Sequence, residues 1–365
     1  DCYQKSSILS DAVLALETDV SDDPLDVNRH FNLANMYASL CRWDEAISCF
    51  KKALSINPNI SEIHFNKGNV YKNIGAFESA IASYQMSIDL DPNVGRAHHN
   101  LANTFQALGR MEEAINSFRT VISISPDNAK AHSVLVFLHT FIADITGEIM
   151  LKEARHWNDL HSYKDIMTGY QNTHDPDRRI RIGYVSTDFK NHAVAYLLEP
   201  LLKDHNRDEV EVYCYAEVAS PDKVTRRFEE HSDHWRSTVG VSDDEMCAMI
   251  RRDEIDIIIE CAGQTINNRL VALSQKPAPL MVNYFTMHGQ TLGMPVMDYI
   301  LGDSTIMPQG FEDQCSEKLI CLEHGAFPFL PIHDWPEVAS PREIGEEMVF
   351  ACVGDPARIS EDTID

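Results

Sequence analysis

The 365-residue sequence has no apolar run that approaches the ~20 residues of a membrane-spanning helix. Positive charge is scarce: 31 Lys and Arg stand against 56 Asp and Glu, a formal charge of −25. That deficit argues against general nucleic-acid binding, which needs cations to displace phosphate counterions, and against anionic membrane. The nine cysteines are scattered and hold no C-x-x-C, so neither a disulfide framework nor a close-spaced zinc site is expected. Reduced, mostly buried thiols in a cytoplasmic compartment are the expectation. No charged-then-apolar leader follows Asp1, and phosphate-loop, dinucleotide, G-x-S-x-G and H-E-x-x-H patterns are all missing. What is there is ordinary globular material, 44% hydrophobic and 24% charged, enough for two or three domains.

The strongest pattern is a period of 34 residues. Pro24, Pro58, Pro92 and Pro126 keep that spacing, as do Ala46, Ala80 and Ala114. So do Asn32, Asn66 and Asn100, and one turn further on Asn35, Asn69 and Asn103. Each unit holds two stretches with apolar residues at i, i+3, i+4 and i+7, broken at Leu40–Arg42, Gly75 or Gly109 and closed by the proline. The period, glycine, alanine and proline positions resemble the tetratricopeptide repeat, over residues 1–140. Stacked hairpins of this kind line a concave face with their first helices, where solenoids bind extended ligands. Asn32, Asn66 and Asn100 fall on the same turn of successive first helices. Their amides either grip a peptide backbone as a ladder or satisfy hydrogen bonds between helices.

A helix over Ile142–Lys164 and the polar stretch that follows, within 141–178, read as a link. Beyond it, apolar runs at Ile180–Ser186, Glu211–Ala216, Ile255–Cys261 and Pro279–Phe285 alternate with amphipathic helical stretches. Alternation of that kind predicts βαβ units and a parallel sheet, with ligands outside the carboxyl ends of the strands. After the first run comes Ser186–His192. His192 falls near the start of a helix whose dipole disfavours imidazolium, so it is either a surface or cap residue or a neutral ring able to accept a proton. Gly263-Gln264-Thr265 and the loop Gly289–Gly293, with Thr291, follow later strands. His231 and His234 imitate a metal pair but read as a solvated helix end, Trp235 reads as core, and no metal is expected.

The strings "RIRIGYVSTDFKNHAVAYLLEPLL", "DHWRSTVGVSDDEMCAMIRRDEIDIIIECAGQTINNRL" and "MPVMDYILGDSTIMP" resemble the amino-terminal catalytic lobe of glycosyltransferase family 41. That family holds the protein O-GlcNAc transferases and SPINDLY-type O-fucosyltransferases. The resemblance implies an α + α/β chain: a tetratricopeptide-repeat helical solenoid, then a Rossmann-like parallel-sheet lobe of GT-B type at 179–335. It implies an inverting protein Ser/Thr O-glycosyltransferase that takes a nucleotide sugar, UDP-GlcNAc ahead of GDP-fucose, without a metal. His192 matches the family's active-site histidine, Thr265, Gly289 and Thr291 match donor-side loops, and Asn32, Asn66 and Asn100 match the acceptor-gripping ladder. Gln264 stands where the family often has histidine. Residues 345–365 resemble only the start of the second lobe, which carries most of the nucleotide site. The expectation is a fragment inactive by itself, whose partners are acceptor proteins or peptides; the alternative is a degenerate, non-catalytic peptide-binding scaffold.

Overall fold

The computed structural model describes residues 2–142, 145–284, 290–326 and 328, with side chains from residue 11 onward. Two compact units divide at Pro126 and Asp127. The first holds α1 (Cys2–Asp22), α2 (Val27–Ser39), α3 (Trp43–Ile56), α4 (Ser61–Asn73), α5 (Phe77–Leu90), α6 (Gly95–Ala107) and α7 (Met111–Ile124). From α2 onward these pair into three hairpins. Ala46, Ala80 and Ala114 are fully buried where the helices meet, which is why the period fixes a small side chain there. Each hairpin turn needs a left-handed residue, supplied by Gly75 and Gly109 at φ 74 and by Cys41 at φ 58. A further position shares the period. His30, His64 and His98 each bond through Nε2 to the carbonyl of Pro24, Pro58 or Pro92, at 2.9, 2.9 and 3.1 Å, tying each interhelix turn to the helix after it.

The second unit opens with α8 (Ala129–Leu138) and α9 (Gly147–His161), followed by a seven-stranded sheet. Its strands are β1 (Ile180–Ser186), β2 (Val210–Ala216), β3 (His234–Ser237), β4 (Ile257–Glu260), β5 (Leu280–Asn283), β6 (Tyr299–Gly302) and β7 (Lys318–Cys321). Between them run α10 (Ala195–Asp204), α11 (Lys223–Glu230), α12 (Asp243–Arg252) and α13 (Leu270–Leu273). All pairings are parallel, in the order β3-β2-β1-β4-β5-β6-β7. The order reverses between β1 and β4, and that switch point is where sheets of this type open a crevice.

Several expectations change. The linking helix is shorter than Ile142–Lys164, because Thr146 caps it by accepting from Ile149 N. The solenoid's unit ends at Pro126 and not at residue 140. Val136 of α8 and Ala154 and Trp157 of α9 are buried in one core with Val185, Ile258 and Met281 of the sheet. His234 is not a solvated helix end: it opens β3, bonds Glu211 at 2.7 Å and stacks on Tyr213 at 4.2 Å. Trp235 packs on Phe189 as core. Cys49, Cys214, Cys247, Cys261 and Cys315 are buried and unpaired. No helix among the described residues is long and apolar enough to cross a membrane. Residues 345–365, read as the start of a second lobe, lie outside the described residues.

Candidate functional site

β1 and β4 end side by side at the switch point, with Val185 opposite Glu260. In the loop after β1, Ser186 Oγ accepts from Asp188 N at 3.0 Å and Phe189 is fully buried, anchoring the turn. That anchoring leaves His192 at the surface three residues before α10, its side chain 43% exposed. His192 Nδ1 accepts a long 3.4 Å bond from Val194 N and lies 3.8 Å from Asp188 Oδ1.

The loop after β4 is held from below. Glu260 is fully buried, and its two carboxyl oxygens accept from Ala262 N at 2.8 Å and Gly263 N at 2.9 Å. Burial pushes the Glu260 carboxyl up to about 7; the two N–H groups pull it down and Asp188 adds to the rise. Above the clamp, Thr265 Oγ1 donates to Ala262 O at 2.8 Å, which keeps its lone pairs for other donors. Gln264 is 2% exposed and neither of its amide atoms has a partner.

A second buried carboxylate holds the loop after β5. Glu317 accepts from Leu292 N at 2.8 Å, from Asn283 Nδ2 at 3.2 Å and from Thr291 Oγ1. Thr291 also accepts from Ser316 N and Gly293 N, both at 3.1 Å. Its hydroxyl is therefore committed to shaping the loop. Gly293 sits at φ +66, and a Cβ there would come within 2.5 Å of the Ala154 backbone, so the loop packs on α9 only with glycine. Gly289 lies outside the described residues.

Along the same edge opens a groove of about 470 Å³, lined by Lys130, Ser133, Glu217, Ser242, Asn267 and Arg269 among others. Arg269 is its buried floor, paired with Glu217 at 2.9 Å and Asp243 at 3.0 Å. No group of three His, Cys, Asp or Glu side chains among the described residues is arranged to hold a metal ion.

In the solenoid the asparagines interleave. Asn66 Nδ2 donates to Asn35 Oδ1 at 2.9 Å and Asn100 Nδ2 to Asn69 Oδ1 at 2.7 Å. The row thus runs between the two asparagine positions of consecutive repeats, with Asn32 exposed before the first such pair. Asn66 keeps one N–H and its carbonyl for a ligand, while Asn100, whose amide also bonds Tyr84, keeps its carbonyl. Sequence reasoning missed Glu260, Glu317 and Arg269. Only Glu260 left a signal, a carboxylate closing the apolar run "IDIII".

The model of Glycosyl transferase family 41 matches residues 142–333, and tetratricopeptide-repeat models match 27–60, 61–94 and 95–128. The chain is 34% identical over 159 residues to the probable peptide N-acetylglucosaminyltransferase SPINDLY of Arabidopsis thaliana, covering 42% of this chain and 17% of that protein. To the probable SEC transferase of the same plant it is 36% identical over 151 residues, covering 41% and 15%. The match thus spans under a fifth of each of these two relatives. The structure of a mutant O-GlcNAc transferase from Thermobaculum terrenum superposes with TM-score 0.71 at 30% identity, covering 86% of this chain and 60% of that one. A helical-repeat unit, a parallel sheet with its switch point at β1 and β4, and a family match over more than half of the residues agree: the chain belongs to glycosyl transferase family 41.

Proposed function

We propose that the chain is the acceptor-side part of a peptide Ser/Thr O-glycosyltransferase. The observation that carries this reading is that β1 and β4, the strands that lead into the His192 loop and the Gly263–Thr265 loop, end side by side at the switch point. A peptide hydroxyl attacks the anomeric carbon of a nucleotide sugar, UDP-GlcNAc ahead of GDP-fucose, and the carbon–oxygen bond to the diphosphate breaks with inversion. The hydroxyl proton passes to a base, and the nucleoside diphosphate leaves.

His192 is the proposed base. For Nε2 to accept, Nδ1 must carry the ring's hydrogen, and Asp188 Oδ1 is placed to hold that tautomer once the ring turns away from Val194. Thr265 faces the donor side, while Asn66 and Asn100 grip acceptor backbone through the amide groups their partners leave free. The nucleotide is taken mainly by a second lobe, so the chain alone is expected to bind peptide without transferring sugar. Fused to the second lobe of a family member, it is expected to move label from UDP-GlcNAc to a peptide mixture. His192→Ala should then lower turnover by roughly 10²-fold or more. An unchanged rate removes His192 from the mechanism, and label transfer by the unfused chain overturns the need for a second lobe. A scaffold without chemistry is the second reading, favoured by the commitment of the Thr291 hydroxyl to Glu317. It predicts that the fused protein binds peptide and UDP but transfers no label.

A further inference from the structure

We propose that Asp222, at the head of α11, is a positioning residue for His192, tying the backbone that carries the ring to a helix of the following βα unit. The inference rests on the reading of His192 as the base and adds what holds it in place. The ring itself is weakly held. Its side chain is 43% exposed, its bond from Val194 N is long at 3.4 Å, and Asp188 Oδ1 lies 3.8 Å away. Its place is therefore decided by its backbone.

That backbone is fixed on both sides. After the histidine, His192 O accepts from Ala195 N at 3.0 Å as α10 begins. Before it, Asn191 donates its N–H to Asp222 Oδ2 at 2.8 Å. Two further contacts join the same segment to α11. Phe189 packs its ring on Phe228 with centroids 5.0 Å apart, and Glu199 of α10 takes Arg227 through two bonds of 2.6 and 2.8 Å. Of these three links to α11, only the one through Asp222 is made by the residue next to the histidine.

The two oxygens of Asp222 have separate tasks. Oδ1 accepts from Val224 N at 2.8 Å and from Thr225 N at 2.9 Å, which caps α11. The cap needs only that oxygen, and Oδ2 reaches a loop 31 residues back in the chain. The Asn191 N–H first, and then those of Thr225 and Val224, hold the Asp222 carboxyl below the usual carboxylate range. The tether is therefore charge-assisted at neutral pH. Misplacing a reacting group by about 1 Å costs about 10²-fold in rate, so a bond beside the ring matters to a base that its own side-chain contacts barely hold.

One pair of variants separates the tasks. Asp222→Asn keeps an oxygen for the cap, where Asn serves as well as Asp, and turns an amide N–H on the Asn191 N–H. Thr225→Val does the reverse: it removes the hydroxyl that accepts from Asp222 N at 3.0 Å and spares Oδ2. In the full chain, Asp222→Asn should quicken solvent exchange of the Asn191 amide by roughly tenfold or more and shift the His192 ring signals in heteronuclear NMR, with the melting temperature held. Thr225→Val should lower the melting temperature and leave both signals in place. In the chain fused to a second lobe, Asp222→Asn should cut kcat by roughly tenfold or more with the peptide KM unchanged, and Thr225→Val should keep the parent kcat. An Asn191 amide and a His192 ring that Asp222→Asn leaves unmoved overturn the proposal, as does a folded Asp222→Asn fusion with the parent kcat. So does Thr225→Val moving the two signals as far as Asp222→Asn. A parent fusion that transfers no label overturns the transferase reading instead, and the unfused chain still decides whether the tether holds the ring.

Discussion

Glu260 and His132 are buried titratable groups whose charges the fold disfavours, and they tilt stability in opposite directions. Burial lifts the Glu260 carboxyl from 4.5 to about 7. Below pH 4.5 it is protonated in both folded and unfolded chains and carries no penalty. As pH rises to about 7 the unfolded chain loses the proton first, so stability falls by up to about 3 kcal/mol. His132, 1% exposed and bonded through Nδ1 to His161 at 3.0 Å, runs the other way. Burial, with His161 beside it, lowers it from 6.5 to about 4. Above pH 6.5 it is neutral in both states; as pH falls the unfolded chain takes the proton first and stability is lost down to about 4. The two slopes oppose each other between pH 4.5 and 6.5. Urea titrations across that window should show Glu260→Gln gaining on the parent chain as pH rises. His132→Phe should gain on it as pH falls. A pH-independent difference for either variant removes that group from the linkage. Neither effect is legible in sequence, because nothing in "IIIEC" or "AHSVL" tells whether a strand end or a helix face is sealed from water.

The solenoid hairpins were the most legible part of the chain, since a fixed period exposes what packing demands at each position. The same cannot be said of β3, β6 and β7. They lie toward the edges of the sheet, and "HWRS", "YILG" and "KLIC" stand in no sustained apolar run. The buried strands β1, β2, β4 and β5 announced themselves as apolar runs because both their faces are covered. Within the hairpins, Gly68 shows how tightly position and partner are matched. A Cβ there would lie 2.6 Å from Tyr84 Cε1, and Tyr84 is fully buried with its hydroxyl on Asn69 Oδ1 at 2.8 Å. Overpacking costs about 1–3 kcal/mol, against about 1 kcal/mol gained from replacing glycine inside a helix. Gly68→Ala should therefore lower stability by up to roughly 2 kcal/mol net, and it should loosen the Asn69–Asn100 bond that shares Asn69 Oδ1. Gly95→Ala is the control, because its nearest neighbour would be Ile124 Cγ2 at an ordinary 3.7 Å. Denaturant melts that show equal effects at both positions contradict the steric account.

At the scale of the whole molecule, the repeat period and the packing disagree about where one unit stops, and packing decides stability. By period, α8 belongs with the hairpins, since Ala131 and His132 stand 34 residues after Ala97 and His98. By burial it belongs with the sheet. Val136 is fully covered in the core that holds Val185 and Ile258, and Trp157 of α9 donates its indole N–H to Ala129 O at 3.1 Å. A chain cut to begin at Phe141, where the sequence pattern places the end of the solenoid, loses both. It leaves the Trp157 indole N–H buried without an acceptor, at about 1–3 kcal/mol, and opens a cavity where Val136 stood that adds several more. A chain cut to begin at Asp127 keeps them. The Asp127–Asp365 fragment is therefore expected to unfold cooperatively on heating, with near-ultraviolet circular dichroism from a fixed Trp157 environment. The Phe141–Asp365 fragment should melt well below it or show no cooperative transition. Equal melting temperatures for the two would mean that α8 is a passenger on the sheet and that the boundary lies where the repeat period puts it.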